Sequence, residues 1–198
     1  MPRLANQPWI VAARKVIDAL DAVRPGCARF VGGCVRNALL GEPVADVDIA
    51  TQLTPDLVEK ACRNAGMAVH PTGIEHGTLT VVSQGVPYEV TTLRRDVETD
   101  GRRATVSFTH DWAEDAQRRD FRMNALYADH DGEVFDPVGG GLDDIAQRRI
   151  VFVGDAETRI REDYLRILRF FRFHAWYGVA APDPDGLAAC GQLRSGLD

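Results

Sequence analysis

Val31-Gly32-Gly33-Cys34-Val35-Arg36-Asn37-Ala38-Leu39-Leu40-Gly41, followed shortly by Asp46-Val47-Asp48, is the stretch on which the reading of this chain turns. Phe30-Val31 is a short apolar piece entering two glycines. Val35, Ala38 and Leu39 then fall on one helical face, which Gly41 ends. Backbone N–H groups at a glycine turn opening a helix make an anion site, and Arg36 on the first turn can reach the same anion. A tight turn beside a surface arginine is the competing reading. Val44 to Ile49 alternates, with Val47 and Ile49 pointing one way and Asp46 and Asp48 the other, which predicts a strand with one polar face. The two carboxylates then lie roughly 6–7 Å apart at Cα, at a rise of about 3.3 Å per residue, and repel unless a cation sits between them. Mg²⁺ accepts one or two carboxylates and completes its shell with substrate phosphates. A solvated strand face with two acids is the commoner meaning of D-x-D alone. Phosphate turn and carboxylate pair together describe phosphoryl or nucleotidyl transfer.

Upstream, residues 8 to 24 read as a helix, with Trp9, Ala13, Val16, Leu20 and Val23 at three- and four-residue steps, stopped by Pro25-Gly26. Downstream, Thr54-Pro55 starts a helix that Gly66 closes. Thr78 to Ser83 and Tyr88 to Leu93 form a hairpin through Gln84-Gly85-Val86-Pro87. Residues 94 to 107 are charged and aperiodic and read as a mobile loop. Thr109 or Asp111 caps a helix carrying Trp112 and Ala116. Asp129-His130-Asp131-Gly132 turns a second hairpin before Glu133-Val134-Phe135. After Gly139-Gly140-Gly141, Arg149 to Val153 is the last strand expected. From about Glu157 to Tyr177 the pattern is one long amphipathic helix, and residues 178 to 198 read as an end without packing partners. The fold class is α+β to about residue 152, then the start of something helical.

The 198 residues are 45% hydrophobic and 26% charged, which excludes wholesale disorder. A net charge of −6 excludes a polycation built to coat nucleic acid, so such contact must come from a local basic patch. No apolar run approaches the roughly 20 residues a membrane helix needs, and the N-terminus lacks an apolar signal core. Cys27, Cys34, Cys62 and Cys190 form no C-x-x-C pair and read as reduced thiols in a cytoplasmic protein, with a disulfide framework the alternative. The histidines are scattered and receive no role.

Asp163, Arg166 and Arg169 fall at steps of three, on one stripe of the last helix, and Arg172 extends it. A carboxylate accepts from an exocyclic amine and a guanidinium donates to a ring nitrogen or carbonyl. A surface ion pair worth a few tenths of a kcal/mol is the competing reading. Leu165, Leu168 and Phe171 read as core.

Taken in order, these motifs resemble the class II tRNA nucleotidyltransferases and bacterial poly(A) polymerases, of the DNA polymerase beta nucleotidyltransferase superfamily. The opening stretch resembles their first motif. Tyr88-Glu89-Val90-Thr91-Thr92-Leu93-Arg94 resembles the strand after the catalytic hairpin, and Arg118-Arg119-Asp120-Phe121-Arg122-Met123-Asn124-Ala125 the R-R-D-x-x-x-N-A motif. Asp136-Pro137, Gly140 and Asp143 resemble D-P-x-x-G, and Glu162 to Arg169 the E-D-x-x-R base-reading helix. Asn37 departs from a usual Asp and Arg122 from a usual Thr.

The resemblance implies a polymerase-beta-like head, a mixed β-sheet with flanking helices over residues 1–152, followed by the beginning of an all-helical neck over 153–198, with body and tail domains absent. It implies that Asp46 and Asp48 hold two Mg²⁺ ions. These activate the 3′-hydroxyl of a tRNA acceptor end and stabilise departing pyrophosphate. Glu89 is a candidate third catalytic carboxylate, with a solvent-facing strand residue as the alternative. Gly32, Gly33 and Arg36 would hold the triphosphate of CTP or ATP. Arg118 or Arg119 would contact ribose or phosphate, Asp120 would fix the neighbouring arginine through a bidentate pair, and Asn124 belongs to the same nucleotide set. Asp163, Arg166, Arg169 and Arg172 would read the base as a protein template. Three functions stay open: CMP and AMP addition to tRNA, poly(A) synthesis on other RNAs, and a non-catalytic nucleotide- or RNA-binding fragment.

Overall fold

A computed structural model describes residues 3, 4, 7–99 and 104–197. Helix α1 (Pro8–Asp21) opens with Pro8 in its first turn and buries Ile10, Ala13, Val16, Ile17 and Leu20. It ends before Val23, which is exposed. Strand β1 (Ala28–Val31) leads through Gly32 (φ 73°) into α2 (Gly33–Leu40), and Gly41 closes α2 in the left-handed region. Strand β2 (Asp48–Thr51) and helix α3 (Pro55–Asn64) follow. Then come β3 (Ala68–Gly73), unforeseen from the sequence, β4 (Thr78–Ser83) and β5 (Val86–Thr92). The β4–β5 turn is shorter than expected. Gln84 and Gly85, both at positive φ, make it alone, and Val86-Pro87 already belong to β5.

Strands β8 (Tyr127–Ala128) and β9 (Val134–Phe135) complete a seven-stranded sheet in the order β3-β4-β5-β2-β1-β8-β9. Its pairs are antiparallel except β2 with β5. One face packs Phe30, Ile49, Leu79, Val81 and Val90 into the main core with α1 and α3. The other face carries Val31, Ala50 and Tyr127 into a smaller cluster with Leu93 and Ala116.

Five expectations need correction. The strand predicted from Val44 begins only at Asp48. Val31 pairs with Asp48, and the chain then leaves β1 at Gly32, so residues before Asp48 have no β1 partner. The expected loop at 94–107 contains β6 (Arg94–Thr99) and β7 (Ala104–Phe108), a separate antiparallel hairpin with a register shift between Asp96 and Glu98. Its residues 100–103 lie outside the described residues. Arg149 to Val153 makes a single bridge, Phe121 to Phe152, because a 3-10 turn (Arg122–Asn124) follows Phe121 at once. The long helix is two, α6 (Ala156–Glu162) and α7 (Leu165–Tyr177). Asp163 is extended between them and its Oδ1 accepts from the Leu165 N–H, a local bond that competes with helix. Residues after 178 do pack: α8 (Pro184–Gln192) buries Gly186, Ala189 and Cys190, and a Cβ at Gly186 would stand 2.9 Å from the Phe170 ring. The remaining helices are α4 (Trp112–Gln117), capped by Asp111 through the Ala113 N–H, and α5 (Gly141–Gln147).

Candidate active site

The parallel pair brings acids together. Asp48 on β2 stands in register with Glu89 on β5. Neighbours in register share a face, here the one opposite Ile49 and Val90. Asp46, two residues before β2, lines with them a cavity of about 590 Å³, whose wall includes Val47, Thr80 and Tyr88. Asp46 and Glu89 are exposed and Asp48 half-buried. Burial, then the charge of Glu89, and more weakly that of Asp46, push the Asp48 carboxyl up, and Arg119 opposes them. Like charges gathered on an open cavity with oxygen donors only fit Mg²⁺, which binds through one or two carboxylates and keeps water and phosphate ligands. Among the described residues no three His, Cys, Asp or Glu side chains close into a ready-made cage, as such an ion does not require.

The glycine turn adjoins this site through Arg119. Nη1 of Arg119 lies 3.7 Å from where a Cβ on Gly32 would stand, an ordinary contact distance, so it is the positive φ of the turn that calls for glycine. Arg36 is placed differently from expectation. It is buried, and Asn37, Asn124 and Tyr177 already hold it. Its Nε and Nη2 donate to Asn37 Oδ1 at 3.0 and 2.8 Å, Nη1 to Asn124 Oδ1 at 2.6 Å, and Nη2 to the Tyr177 hydroxyl at 3.1 Å. The Tyr177 ring covers the guanidinium at 4.6 Å. Asn37 uses both ends of its amide, donating also to the Pro43 carbonyl at 2.8 Å, which a carboxylate there could not do. Gly33 lies against Arg36 Nη2.

The R-R-D motif is wired unlike the expectation. Asp120 does not fix a neighbouring arginine. Its Oδ1 accepts from the Phe121 N–H and from Asn124 Nδ2, and its Oδ2 from Arg169 Nε at 2.7 Å. The group that fixes Arg118 and Arg119 is Asp115 on α4, at 1% side-chain exposure. Sequence reasoning missed it, although Asp115 stands three and four residues before the two arginines, the spacing that meets on a helix.

On α7 the expected stripe is broken. Asp163 lies before the helix and does not pair with Arg166. Arg166 donates to Glu162 Oε2 at 2.7 Å and to the carbonyls of Arg159 and Arg118. Arg169 joins Asp120, and exposed Arg172 lies over the rings of Phe173 and Trp176. Leu165, Leu168 and Phe171 are exposed, contrary to their reading as core; Ile167, Phe170 and Phe173 are buried instead.

A mixed sheet with acids on its parallel pair, a glycine turn and paired arginines is the polymerase-beta-like nucleotidyltransferase fold. A family model described as the poly(A) polymerase head domain matches residues 28–151, and the chain belongs to that family. The mitochondrial CCA tRNA nucleotidyltransferase 1 of Danio rerio is 46% identical over 157 residues, 79% of this chain and 36% of that protein. The CCA-adding enzyme of Streptococcus pyogenes is 51% identical over 150 residues, 75% of this chain and 36% of that protein. The crystal structure of the Bacillus stearothermophilus CCA-adding enzyme in complex with CTP matches with a TM-score of 0.81 at 42% identity, covering 92% of this chain and 43% of that one. The chain thus spans between a third and a half of the length of these relatives. No helix among the described residues is long and apolar enough to cross a membrane.

Proposed function

We propose that this chain is the catalytic head of a Mg²⁺-dependent nucleotidyltransferase that adds CMP and AMP, from CTP and ATP, to the 3′ end of tRNA. The observation that carries this reading is the meeting of Asp48 with Glu89 across the parallel pair, with Asp46 on the same cavity and Arg119 between it and the glycine turn. The relatives named as CCA-adding enzymes, one of them bound to CTP, support the substrate class.

Asp46 and Asp48 would hold the metal, with Glu89 beside them; when bound, Mg²⁺ supplies the positive charge that offsets the triphosphate and the departing pyrophosphate. The bare backbone of Gly32 and Gly33 lets a triphosphate approach the start of α2. Arg119 donates to it from Nη1, and Arg118 stands next to it. Arg36 serves this site from behind, as a buried brace tied to Asn124. Asp163, Arg166, Arg169 and Arg172 remain the proposed base readers. Arg166 keeps Nε–H and one Nη2 hydrogen beyond the bonds it already makes. We divide the chain into a head, 1–152, and the first part of a helical neck, 153–198; the family match ending at 151 and the packing of α6 on α7 and α8 support that division. Four buried free thiols suit a reducing, cytoplasmic compartment.

The test is incubation with Mg²⁺, tRNA lacking its 3′ end and each labelled nucleotide in turn. Incorporation of both CMP and AMP is expected. Repeated AMP addition alone would establish the poly(A) reading that the family description favours. Binding without incorporation would leave a nucleotide-binding fragment. In Arg166→Ala, a template predicts weaker CTP and ATP use and relaxed exclusion of UTP and GTP, because a site built for amines leaves polar groups unpaired against the wrong edges. A uniform loss of rate would assign Arg166 to positioning.

A further inference from the structure

The buried carboxylate of Asp115 is absent from every motif that marks the nucleotide site, yet four hydrogen-bond donors converge on it. Oδ1 accepts from Arg118 Nε at 2.9 Å and from the Arg94 backbone N–H at 3.2 Å, and the Arg118 Nη2 stands in ion-pair contact with it at 2.9 Å. Oδ2 accepts from Arg119 Nη2 at 3.0 Å and from the Tyr127 hydroxyl at 2.7 Å. A carboxylate at 1% exposure is costly to bury unless it is paired and fully hydrogen-bonded, and here it is both.

The pairing is unequal in a useful way. One negative charge faces two guanidinium groups, so the trio keeps a net positive charge. The Tyr127 hydroxyl also accepts from Arg119 Nε at 3.3 Å, and the guanidinium lies 5.5 Å over the Tyr127 ring. Nε and Nη2 of Arg119 are thereby fixed from one side. Nη1, with no partner among the described residues, is turned to the bare backbone of Gly32. The same arginine acts on Asp48 as a positive charge opposing the push of Glu89 and Asp46. Asp115 also reaches the first residue of the β6–β7 hairpin through the Arg94 N–H, so one carboxylate sets α4, β6 and β8 around the arginine pair.

We propose that Asp115 is the positioning residue of the nucleotide site: it holds Arg119, with Arg118 beside it, so that the free edge of Arg119 is aimed at the triphosphate of a nucleotide seated on the glycine turn. This rests on the reading of the adjoining cavity as a nucleotide site. Asp115 touches no substrate; it acts through the arginines. A guanidinium fixed beforehand loses less freedom on binding an anion than a mobile one, so the gain falls on the phosphates and not on the base or sugar.

The test is calorimetric binding of CTP and of CMP, each with Mg²⁺, to the 198-residue chain, to Asp115→Asn, to Arg119→Ala and to the double variant, with thermal melts of all four. For Asp115→Asn we expect CTP to bind at least tenfold more weakly and CMP to change less than threefold. In the Arg119→Ala background the Asp115 substitution should weaken CTP by less than twofold further, because its route of action is gone. Equal losses for CTP and CMP, full multiplication of the two effects, or undiminished CTP binding by a folded Asp115→Asn would each overturn the proposal. If Asp115→Asn does not fold, Asp115→Glu answers the same question: it keeps the charge but displaces both oxygens, and CTP affinity equal to that of the unaltered chain would overturn the proposal. Failure of the unaltered chain to bind CTP or ATP would overturn the underlying nucleotide-site reading as well.

Discussion

Asp120 and Arg169 meet across 49 residues of chain, the carboxylate Oδ2 accepting from the guanidinium Nε at 2.7 Å. The other oxygen of Asp120 holds Asn124, which in turn accepts from Arg36. A continuous polar chain therefore runs from the helix after the glycine turn to the helix proposed to read the base. Tyr177, at the end of that helix, closes the loop by accepting from Arg36.

Removing the two ends of the Asp120–Arg169 bond should cost different amounts. Asp120 is buried and serves Arg169, Asn124 and its own turn, so Asp120→Ala should lower stability by about 1–3 kcal/mol. The Arg169 side chain is 38% exposed, and Arg169→Ala should cost less than about 1 kcal/mol. Urea unfolding of both variants measures this; the reverse order would mean that α7 is held chiefly by its apolar face.

Asp48→Ala and Asp46→Ala should each reduce nucleotide transfer at least about a hundredfold, from loss of a charge-stabilising ligand worth several kcal/mol. Burial and the Glu89 charge disfavour the ionised Asp48 in the folded chain. Its replacement should therefore leave the melting temperature unchanged or higher. Transfer assays and melts on the same preparations decide it, and near-normal transfer in either variant removes the metal assignment.

Arg122→Thr restores the residue usual in the family and should destabilise this chain. Arg122 grips the fully buried Asp144 through Nε at 2.7 Å and Nη2 at 2.8 Å. Arg149 would remain on Asp144 as a single contact, so the expected loss is about 2–4 kcal/mol, read from urea midpoints. Replacing both residues, Arg122→Thr with Asp144→Leu, should recover part of it.

Asp115 should make stability fall in acid. Burial pushes its carboxyl up, but Arg119, Arg118 and the Tyr127 hydroxyl outweigh it and hold the group at about 2, below the ordinary 3.8. The unfolded chain binds this proton more readily, so the stabilisation is complete well above pH 4 and is lost as pH falls towards 2. Its size is about 2 kcal/mol. Asp115→Asn should flatten stability over that interval, and an unchanged slope in urea titrations between pH 4 and 2 would contradict the assignment.

Much of the fold was legible where a glycine or a proline punctuates an apolar period. Gly32, Gly41, Pro55 and Gly66 mark real boundaries, and the alternation in β4 and β5 marks real strands. The hairpin at β6–β7 was missed although Ala104-Thr105-Val106-Ser107-Phe108 alternates, because charge in its partner strand outweighed that signal. The helix break at Asp163 was illegible to periodicity, since apolar spacing persists across it while one side-chain-to-backbone bond ends the ladder. In the site, residue types were readable and partners were not. Asp115, Asn124 and Tyr177 act across 3 to 141 residues of separation, and no spacing rule pairs Arg36 with Tyr177.

The parallel pairing of β2 with β5 also has a kinetic side. β4 and β5 are joined by a two-residue turn and can meet within microseconds. Asp48 meets Glu89 only after the chain has gone out through α3 and returned through β3 and β4, so the loop between them must close first. Bringing the acids together also works against their mutual repulsion. The carboxylates proposed as catalytic are thus expected to converge late on the folding route, after the hairpins. In pulse-labelled hydrogen exchange, amides shared between β2 and β5 should become protected after those of β4–β5, so that a nascent head with its hairpins already in place would still have no site at all.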